Sequence, residues 1–394
     1  MAESCGAAAS PDVQDVFIDD DIFIDEAAEV AAASPSHAHH RHACMGAGVS
    51  TNSPGRTQAY PEPAFVKRAR SDPLFEAAVY GNIDTNFRVC CTSWAQAEEL
   101  LGHELAREVR TAVGKVFSDG DESHATEQAT QILHESFPEF EGLELALCFA
   151  NLVADALELR SQSDAEGWDF VEGFCGTAAV TRSALARGWK AKCFDIRYAL
   201  DHDILSALGF RRYVLSARST KRGGTSWYAP VCSSWGFLCR KQSMRTKENP
   251  LGNLSVPWVL QGNNQLIRVT LVCLLLHLLG MEFVVESSMS SLITHVRYFR
   301  ALMLLSGAYQ HTCWLGHFGA PSPKPVKLMT TAPWVAKVKS KRRGSLRLCT
   351  NMVKKGKVCI NGIKVKLQES EFYPLKFGEA LCQARLEHRS GQQL

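Results

Sequence analysis

The sequence of 394 residues lacks the paired cysteines on which small metal-binding and disulfide-bonded scaffolds depend. Its fourteen cysteines are scattered from Cys5 to Cys382, and no two of them are spaced as Cys-x-x-Cys. Neither a structural zinc site nor a disulfide framework is expected, because both require regular cysteine spacing. Unpaired and mostly buried thiols are typical of reducing compartments, so the sequence predicts a nuclear or cytoplasmic protein.

An uninterrupted apolar stretch that would cross a bilayer is also missing. The longest apolar run extends from Val269 to Val285, but it contains Glu282 and is broken at Gly280. Each half is shorter than the roughly 20 residues that a membrane-spanning helix needs. The run predicts a buried helix followed by a buried strand, and no membrane partner is expected. The first residues also lack the basic-then-apolar pattern of a signal peptide.

The sequence has little net charge, +2, but its charges are unevenly distributed. Residues 1–65 contain ten acidic side chains against only Arg41 and Arg56, and this composition predicts a disordered acidic and His-rich tail. The histidines between residues 37 and 42 have no second ligand group beside them, so no metal site is predicted. Residues 324–366 contain thirteen Lys or Arg and no acid. They form either a solvated surface or a binding surface for a polyanion such as nucleic acid.

Hydrophobic periodicity divides the rest of the chain into three parts. Residues 66–165 form a helical cap region, with helices between 74 and 160 and a break at Pro138. Residues 166–335 form the main domain, and residues 336–394 a basic C-terminal extension. In the main domain short apolar segments alternate with helical ones. We predict strands at 169–171, 192–194, 225–228 and 282–285 and helices at 177–187, 204–218 and 260–279. Such alternation predicts the α/β class with a doubly wound parallel sheet.

The first strand is followed by a turn in which Gly173 and Gly176 occur, and Asp195 ends the next strand. A glycine-rich turn allows backbone N–H groups and a helix N-terminus to approach a ligand closely. An acid about 20 residues later accepts hydrogen bonds from ribose hydroxyls in nucleotide-binding folds. The pattern therefore indicates a nucleoside site, although the spacing also suits a dinucleotide or a strand–helix turn that binds nothing.

Four segments, taken in order, resemble the cytosine-5 DNA methyltransferases. WDFVEGFCGTAAVTRSALARGWKAKCFDI resembles the first motif region of that family, and WYAPVCSSW resembles its Pro-Pro-Cys loop. FVVESSMSSL resembles the strand that ends in Glu-Asn-Val, and GAYQHTCWLGHFGAPSPKPVKLMTT resembles the segment with Tyr-Gly-Val-Pro-Gln. The resemblance covers residues 168–331. It implies a Rossmann-like fold of the S-adenosylmethionine-dependent methyltransferase type, with S-adenosylmethionine as the cofactor.

The resemblance also implies a set of site residues. Cys232 matches the thiol that attacks carbon-6 of a flipped-out cytosine, and Glu286 matches the carboxyl group at the N3 atom of the ring. The residues that match the cofactor pocket are Glu172, Gly173, Phe174, Cys175, Gly176, Asp195, Asp203 and Pro230.

Structural interpretations stand beside these roles. Cys232 also suits a small buried position at a strand end, and Glu286 suits an acid that caps a helix or anchors a loop. Asp203 matches the acid that contacts the adenine amino group, but it lies so close to Asp195 that we favour an N-cap or first-turn acid of the helix at 204–218. Val231 and Ser287 differ from the family pattern.

The loop at 235–247 combines basic side chains with Trp235 and Phe237, so it offers charge and stacking surfaces to a nucleic-acid strand unless it is merely solvated. Three functional hypotheses follow. The chain methylates cytosine in nucleic acid through Cys232, or it methylates another substrate, or it is a non-catalytic descendant that binds nucleic acid or protein.

Overall fold

The structure is a computed structural model that describes residues 72–80, 91–117, 142–162, 167–320, 323–341, 357–360, 363–366 and 372–392. The acidic tail predicted at 1–65, the break predicted at Pro138 and much of the basic segment beyond residue 341 lie outside the described residues.

The described part of the N-terminal region is helical, as its periodicity predicts. The helices are α1 (Pro73–Tyr80), α2 (Trp94–Leu101), α3 (His103–Phe117) and α4 (Gly142–Gln162). Apolar side chains of α3 and α4, among them Val109 and Val153, are fully buried in the same core as the sheet that follows. A buried ion pair between Asp155 of α4 and Arg218 adds a charged contact to this packing. The helical region therefore shares its core with the main domain.

Six strands form one mixed sheet. They are β1 (Trp168–Gly173), β2 (Ala191–Phe194), β3 (Thr220–Tyr228), β4 (Glu282–Ser288), β5 (Tyr309–Trp314) and β6 (Pro325–Thr330), in the spatial order β2-β1-β3-β4-β6-β5. The first four strands in this order are parallel to one another. Strand β6 is antiparallel to both β4 and β5, so β5 has the same direction as β4.

Without β6, the parallel strands follow the order 2-1-3-4-5 of doubly wound sheets. In the sheet β2 lies on one side of β1, and β3 lies on the other side. The strand order therefore reverses its direction at β1. In open α/β sheets ligands bind beyond the carboxyl ends of the strands at such a switch point. The predicted α/β class with a mostly parallel sheet is confirmed. The reversed strand β6 was not predicted, and β3 begins five residues earlier than the predicted strand.

Helices cover both faces of the sheet. They are α5 (Ala179–Leu185), α6 (Ala207–Arg218), the single turn α7 (Arg240–Ser243), α8 (Pro257–Leu278), α9 (Arg297–Ser306) and α10 (Leu375–Gln392). Because side chains alternate along a strand, Val171 faces the layer that contains α6, α8 and α9. Its neighbour Phe170 faces α5 and α10 on the other side. The result is a three-layer α/β/α arrangement.

Helix α8 explains the long apolar run in the sequence. Among the described residues it alone is long and apolar enough to cross a membrane, but 78% of its most apolar window is buried inside the protein. A helix that is apolar on all sides is expected in the core of a large domain. Pro257 occupies its first turn, where the missing N–H of proline has no intrahelical partner to lose.

Helix α10 belongs to the core, although the sequence assigned it to a basic extension. It packs on α5 so closely that a Cβ atom at Gly378 would lie 2.4 Å from the carbonyl oxygen of Ala179. The buried guanidinium of Arg385 donates to the carbonyl oxygen of Asp169 in β1, at 2.9 Å. Before α10, the strands β7 (Lys357–Ile360) and β8 (Ile363–Lys366) form an antiparallel pair of their own.

Candidate functional site

The predicted site residues lie at the carboxyl ends of four neighbouring parallel strands. Gly173 ends β1, Asp195 directly follows β2, and Pro230 follows β3. Glu286 lies near the end of β4. Because these strands are adjacent in the order β2-β1-β3-β4, their ends form one edge of the sheet. The predicted site residues on these strands therefore lie along one edge of the sheet.

The turn after β1 has an unusual backbone. Phe174, Gly176 and Ala178 all have positive φ angles, of 58°, 57° and 52°. Left-handed conformations at alternate residues are what a Gly-x-Gly-x-Gly turn would adopt, but here two of the three positions are not glycine. Each non-glycine residue in this region costs about 1 to 2 kcal/mol. The turn therefore stores backbone strain at the switch point of the sheet.

Gly173 has a different role from the one predicted. It lies in β1 without a positive φ, and a Cβ atom there would come within 2.5 Å of Tyr213 and 2.7 Å of Tyr228. These two buried tyrosines pack directly on the backbone, and the hydroxyl of Tyr213 accepts the N–H of Phe174 at 3.3 Å. The glycine is thus required for side-chain packing. Nothing in the local pattern identified the tyrosines, which come from α6 and β3.

Asp195 holds the turn in place. Its Oδ2 accepts the N–H of Gly176 at 2.8 Å, and its Oδ1 accepts the N–H of Arg197 at 2.9 Å. The N–H of Cys175 is donated to the carbonyl oxygen of Phe194 at 3.1 Å. The N–H groups predicted to face a ligand therefore donate hydrogen bonds to other groups of the chain. Asp195 itself occupies its predicted place at the end of β2.

Glu172 is the second carboxyl group of this region and is fully buried. Its Oε2 accepts both the N–H and the hydroxyl of Thr181 in α5, at 2.7 and 2.5 Å. Its Oε1 is shielded from solvent and has no hydrogen-bond partner among the described residues. Burial, together with the negative charge of Asp195, raises the pKa of Glu172 to about 7, although hydrogen bonds from Thr181 and from the backbone of Val180 oppose the shift. A carboxyl group with one unpaired oxygen thus lies beneath the strained turn.

The loop after β3 places Cys232 beside the end of β4. Pro230 is buried, and Cys232 is partly exposed in the short 3-10 turn Cys232–Ser234. The N–H of Phe237 donates to Oγ of Ser290 at 3.1 Å, and Arg240 donates to the carbonyl oxygen of Ser290 at 2.8 Å. The loops that follow β3 and β4 are therefore joined by hydrogen bonds.

A buried arginine stabilises this loop through several hydrogen bonds. Arg245 donates to the carbonyl oxygen and the hydroxyl of Ser234 at 2.8 and 2.7 Å and to Oδ1 of Asn263 at 2.8 Å. Its guanidinium lies 3.6 Å from the ring centre of Trp235. Both Arg245 and Trp235 are buried, so the prediction that they offer charge and stacking to a nucleic-acid strand is wrong. Phe237, 44% exposed, is the aromatic side chain that the loop presents.

Glu286 is buried and bound by a residue from the C-terminal part of the chain. The hydroxyl of Tyr373 donates to its Oε2 at 2.7 Å. Burial raises the pKa of Glu286, while the charge of Lys324 and the bond from Tyr373 act in the opposite direction. The neighbouring Phe372 lies against the strained turn, because a Cβ atom at Gly176 would be 3.3 Å from its ring. Sequence spacing gave no indication of either contact.

Asp203 neither caps α6 nor belongs to its first turn. Its Oδ1 accepts the N–H of Leu205 at 2.9 Å in a turn that precedes the helix. The N-cap is Ser206, whose Oγ accepts the N–H of Gly209 at 2.9 Å. The expectation that Asp203 is an N-cap or first-turn acid is therefore wrong by a few residues. Serine satisfies the cap geometry and lies directly before the first helical residue.

Cysteine and metal chemistry is limited in the described part of the chain. Nine cysteines there are free thiols, and six of these nine are buried. The described residues contain no group of three or more His, Cys, Asp or Glu arranged to hold a metal ion. Comparison of the sequence with protein-family models and with curated proteins finds no match.

Proposed function

We propose that this chain is an S-adenosylmethionine-dependent methyltransferase of the Rossmann-like type that acts on cytosine in nucleic acid. The observation that carries the proposal is the alternation of left-handed residues at Phe174, Gly176 and Ala178, at the switch point of the sheet. Strained backbone persists where the surrounding structure enforces it, and it is concentrated at ligand clamps and active sites.

The residues around the turn suit this cofactor in charge and hydrogen bonding. S-adenosylmethionine carries positive charge on its sulfonium and ammonium groups and donates from its ribose hydroxyls. Asp195 provides a carboxylate at the end of β2, and Glu172 is a second carboxyl group buried beneath the turn. Ile196, 44% exposed directly after Asp195, offers apolar surface to the adenine. When bound there, the cofactor would supply an electrophilic methyl group.

Cys232 and Glu286 would act on the base. Addition of the Cys232 thiolate to carbon-6 would use the C5–C6 double bond and make carbon-5 nucleophilic. After carbon-5 accepts the methyl group, loss of its proton to solvent would restore the double bond and release the thiolate. Cys232 is partly exposed, as such an attack needs. The raised pKa of Glu286 keeps its proton on the carboxyl group to a higher pH than usual. The protonated form is the one that donates a hydrogen bond to N3 of the ring.

A second candidate function is a binding module without catalysis. It is favoured by the contacts of Phe372 with the turn and of Tyr373 with Glu286, because both bring the chain's own side chains to the edge where a substrate would bind. In this case the turn amides and Asp195 serve only to maintain the fold.

Two measurements on the full chain test the first candidate. Calorimetric titration with S-adenosylmethionine should give binding that Asp195→Asn weakens. Transfer of a labelled methyl group to cytosine-containing DNA or RNA should be abolished by Cys232→Ser while cofactor binding is retained. Cys239→Ser, which changes another partly exposed thiol of the same loop, is the matched control and should leave transfer intact.

Three results would count against the proposal in different ways. Absence of cofactor binding at millimolar concentration would reject it and favour the binding module. Transfer that survives Cys232→Ser would retain the methyltransferase but exclude Cys232 as the nucleophile. Equal loss of activity in the Cys232→Ser and Cys239→Ser variants would indicate damage to the loop instead of loss of a nucleophile.

A further inference from the structure

A cleft of about 390 Å³ lies at the outer edge of the sheet, beside β5. His311 and Thr312 of β5 form one wall, and the segment from Ala336 to Lys341 forms the other. His317, in the 3-10 turn after β5, lines the cleft as well. Three strands, β3, β4 and β6, separate β5 from the strained turn at the end of β1, so this cleft is distinct from the candidate methyl-transfer site.

The second wall is attached to the edge strand by hydrogen bonds. Nε2 of His311 lies 2.9 Å from the carbonyl oxygen of Val338, and the N–H of Trp314 donates to Oγ of Ser340 at 3.0 Å. The chain therefore runs along the outer edge of β5. Lys339 and Lys341, on either side of Ser340, are both exposed and both line the cleft. The backbone that carries them is attached to β5 by these two hydrogen bonds.

The polar side chains that line the cleft are hydrogen-bonding groups or positive charges. Two lysines, two histidines and the hydroxyls of Thr312 and Ser340 line it, and none of the lining side chains is acidic. Nδ1 of His317 is shielded from solvent and has no hydrogen-bond partner among the described residues. A shielded polar atom without a partner is unfavourable unless a ligand or water satisfies it.

We propose that this cleft binds the phosphate group of a nucleotide unit, either free or within a nucleic-acid strand. Lysine ammonium groups are suited to phosphate as point charges, and His317 also lines the cleft. Ala336, which is exposed, provides apolar contact for the attached sugar or base. The volume of the cleft falls within the range of roughly 300 to 1,000 Å³ that small-molecule sites occupy.

Binding to the full chain tests this assignment with four probes: inorganic phosphate, cytidine 5′-monophosphate, cytidine and a short single-stranded oligonucleotide. The monophosphate should bind and cytidine should not, because cytidine lacks the phosphate. Lys339→Ala with Lys341→Ala should weaken monophosphate binding roughly tenfold. Lys337→Ala is the matched control, since Lys337 is exposed in the same segment but does not line the cleft. It should change the affinity by less than about twofold.

The ring resonances of His317 provide a second readout that does not depend on the lysines. They should shift on addition of phosphate, whereas those of His202, which is buried elsewhere, should not. If binding of the oligonucleotide depends more steeply on salt than binding of the monophosphate, nucleic acid is identified as the source of the phosphate. If the oligonucleotide binds no more tightly than the monophosphate, a free nucleotide is identified as the source.

The proposal is rejected if no phosphate-containing probe binds. It is also rejected if the double lysine variant and Lys337→Ala weaken binding equally, or if the resonances of His317 do not move. Its failure is distinguishable from failure of the methyltransferase proposal, because binding of S-adenosylmethionine should be the same in the double lysine variant and the wild-type chain.

Discussion

The hydroxyl of Tyr373 donates a 2.7 Å hydrogen bond to Oε2 of Glu286, although the two residues are 87 positions apart in the sequence. The bond connects the segment before α10 to the last residues of β4. It also satisfies a carboxylate oxygen that burial would otherwise leave unpaired. The C-terminal part of the chain therefore contributes directly to the electrostatics of the candidate site.

Tyr373→Phe should lower the free energy of unfolding by about 1 to 3 kcal/mol near pH 8, because a buried carboxylate loses its donor. The hydroxyl favours the ionised form of Glu286, so its removal raises the pKa of that carboxyl group further. The loss should be smaller near pH 5, where more of Glu286 is protonated. Denaturant unfolding of Tyr373→Phe in the wild-type and Glu286→Leu backgrounds measures it, because leucine has no acceptor for the hydroxyl. An equal loss in both backgrounds would contradict the assigned contact.

Glu172 should make stability fall with rising pH. The folded chain keeps the proton of Glu172 up to about pH 7, whereas the unfolded chain loses it near 4.5. The folded state therefore binds more protons in this interval, and the unfolding free energy should decrease by about 3 kcal/mol across it. Glu172→Gln should remove this component. The free energies of unfolding of the wild-type chain and of Glu172→Gln are compared at several pH values. If the difference between them does not vary with pH, burial does not raise the pKa of Glu172.

His202 should have the opposite effect at lower pH. Burial lowers its pKa to about 4, from 6.5 in the unfolded chain, and its ring packs edge-on against Phe194 at 5.2 Å between centroids. Between these values the unfolded state binds more protons, so stability should rise by about 3 kcal/mol as the pH increases from 4 to 6.5. His202→Gln should lose this dependence. The prediction is wrong if the variant and the wild-type chain show parallel pH profiles.

Gly173→Ala should destabilise the fold by about 1 to 3 kcal/mol through overpacking against Tyr213 and Tyr228. Gly236→Ala is the matched control, because a Cβ atom there would meet its nearest neighbours at 3.4 and 3.7 Å, which is ordinary contact. Thermal or denaturant unfolding compares the two. Equal stability of both variants would show that the tyrosines can move away from β1 at little cost.

Arg245→Lys should lower the free energy of unfolding by about 3 kcal/mol, because lysine cannot replace the directed donors of a buried guanidinium. Loss of the contact with Ser234 should also loosen the turn that carries Cys232. Alkylation of Cys232, followed by mass spectrometry, should therefore become faster. The exposed Arg222 provides the control variant Arg222→Lys, and a similar effect of both substitutions would argue against the buried cluster.

Local patterns in the sequence determined much of the architecture. Alternating apolar strands and helices predicted the α/β class, the buried helix α8 and the places of Asp195 and Cys232 at strand ends. These features depend on residues that are close together in the chain, since helix and strand periodicities repeat within a few positions. The methyltransferase type of the fold and its chemistry stay predictions that the proposed experiments address.

Only the tertiary structure decided which side chains meet. It determined that Tyr213 and Tyr228 require the glycine at 173, that Arg245 and Trp235 are buried, and that β6 is inserted between β4 and β5. The same holds for Tyr373 on Glu286 and for Arg385 on the backbone of β1, a contact that spans 216 positions. Contacts of this range depend on how whole layers pack, and no periodicity or spacing within a single segment encodes them.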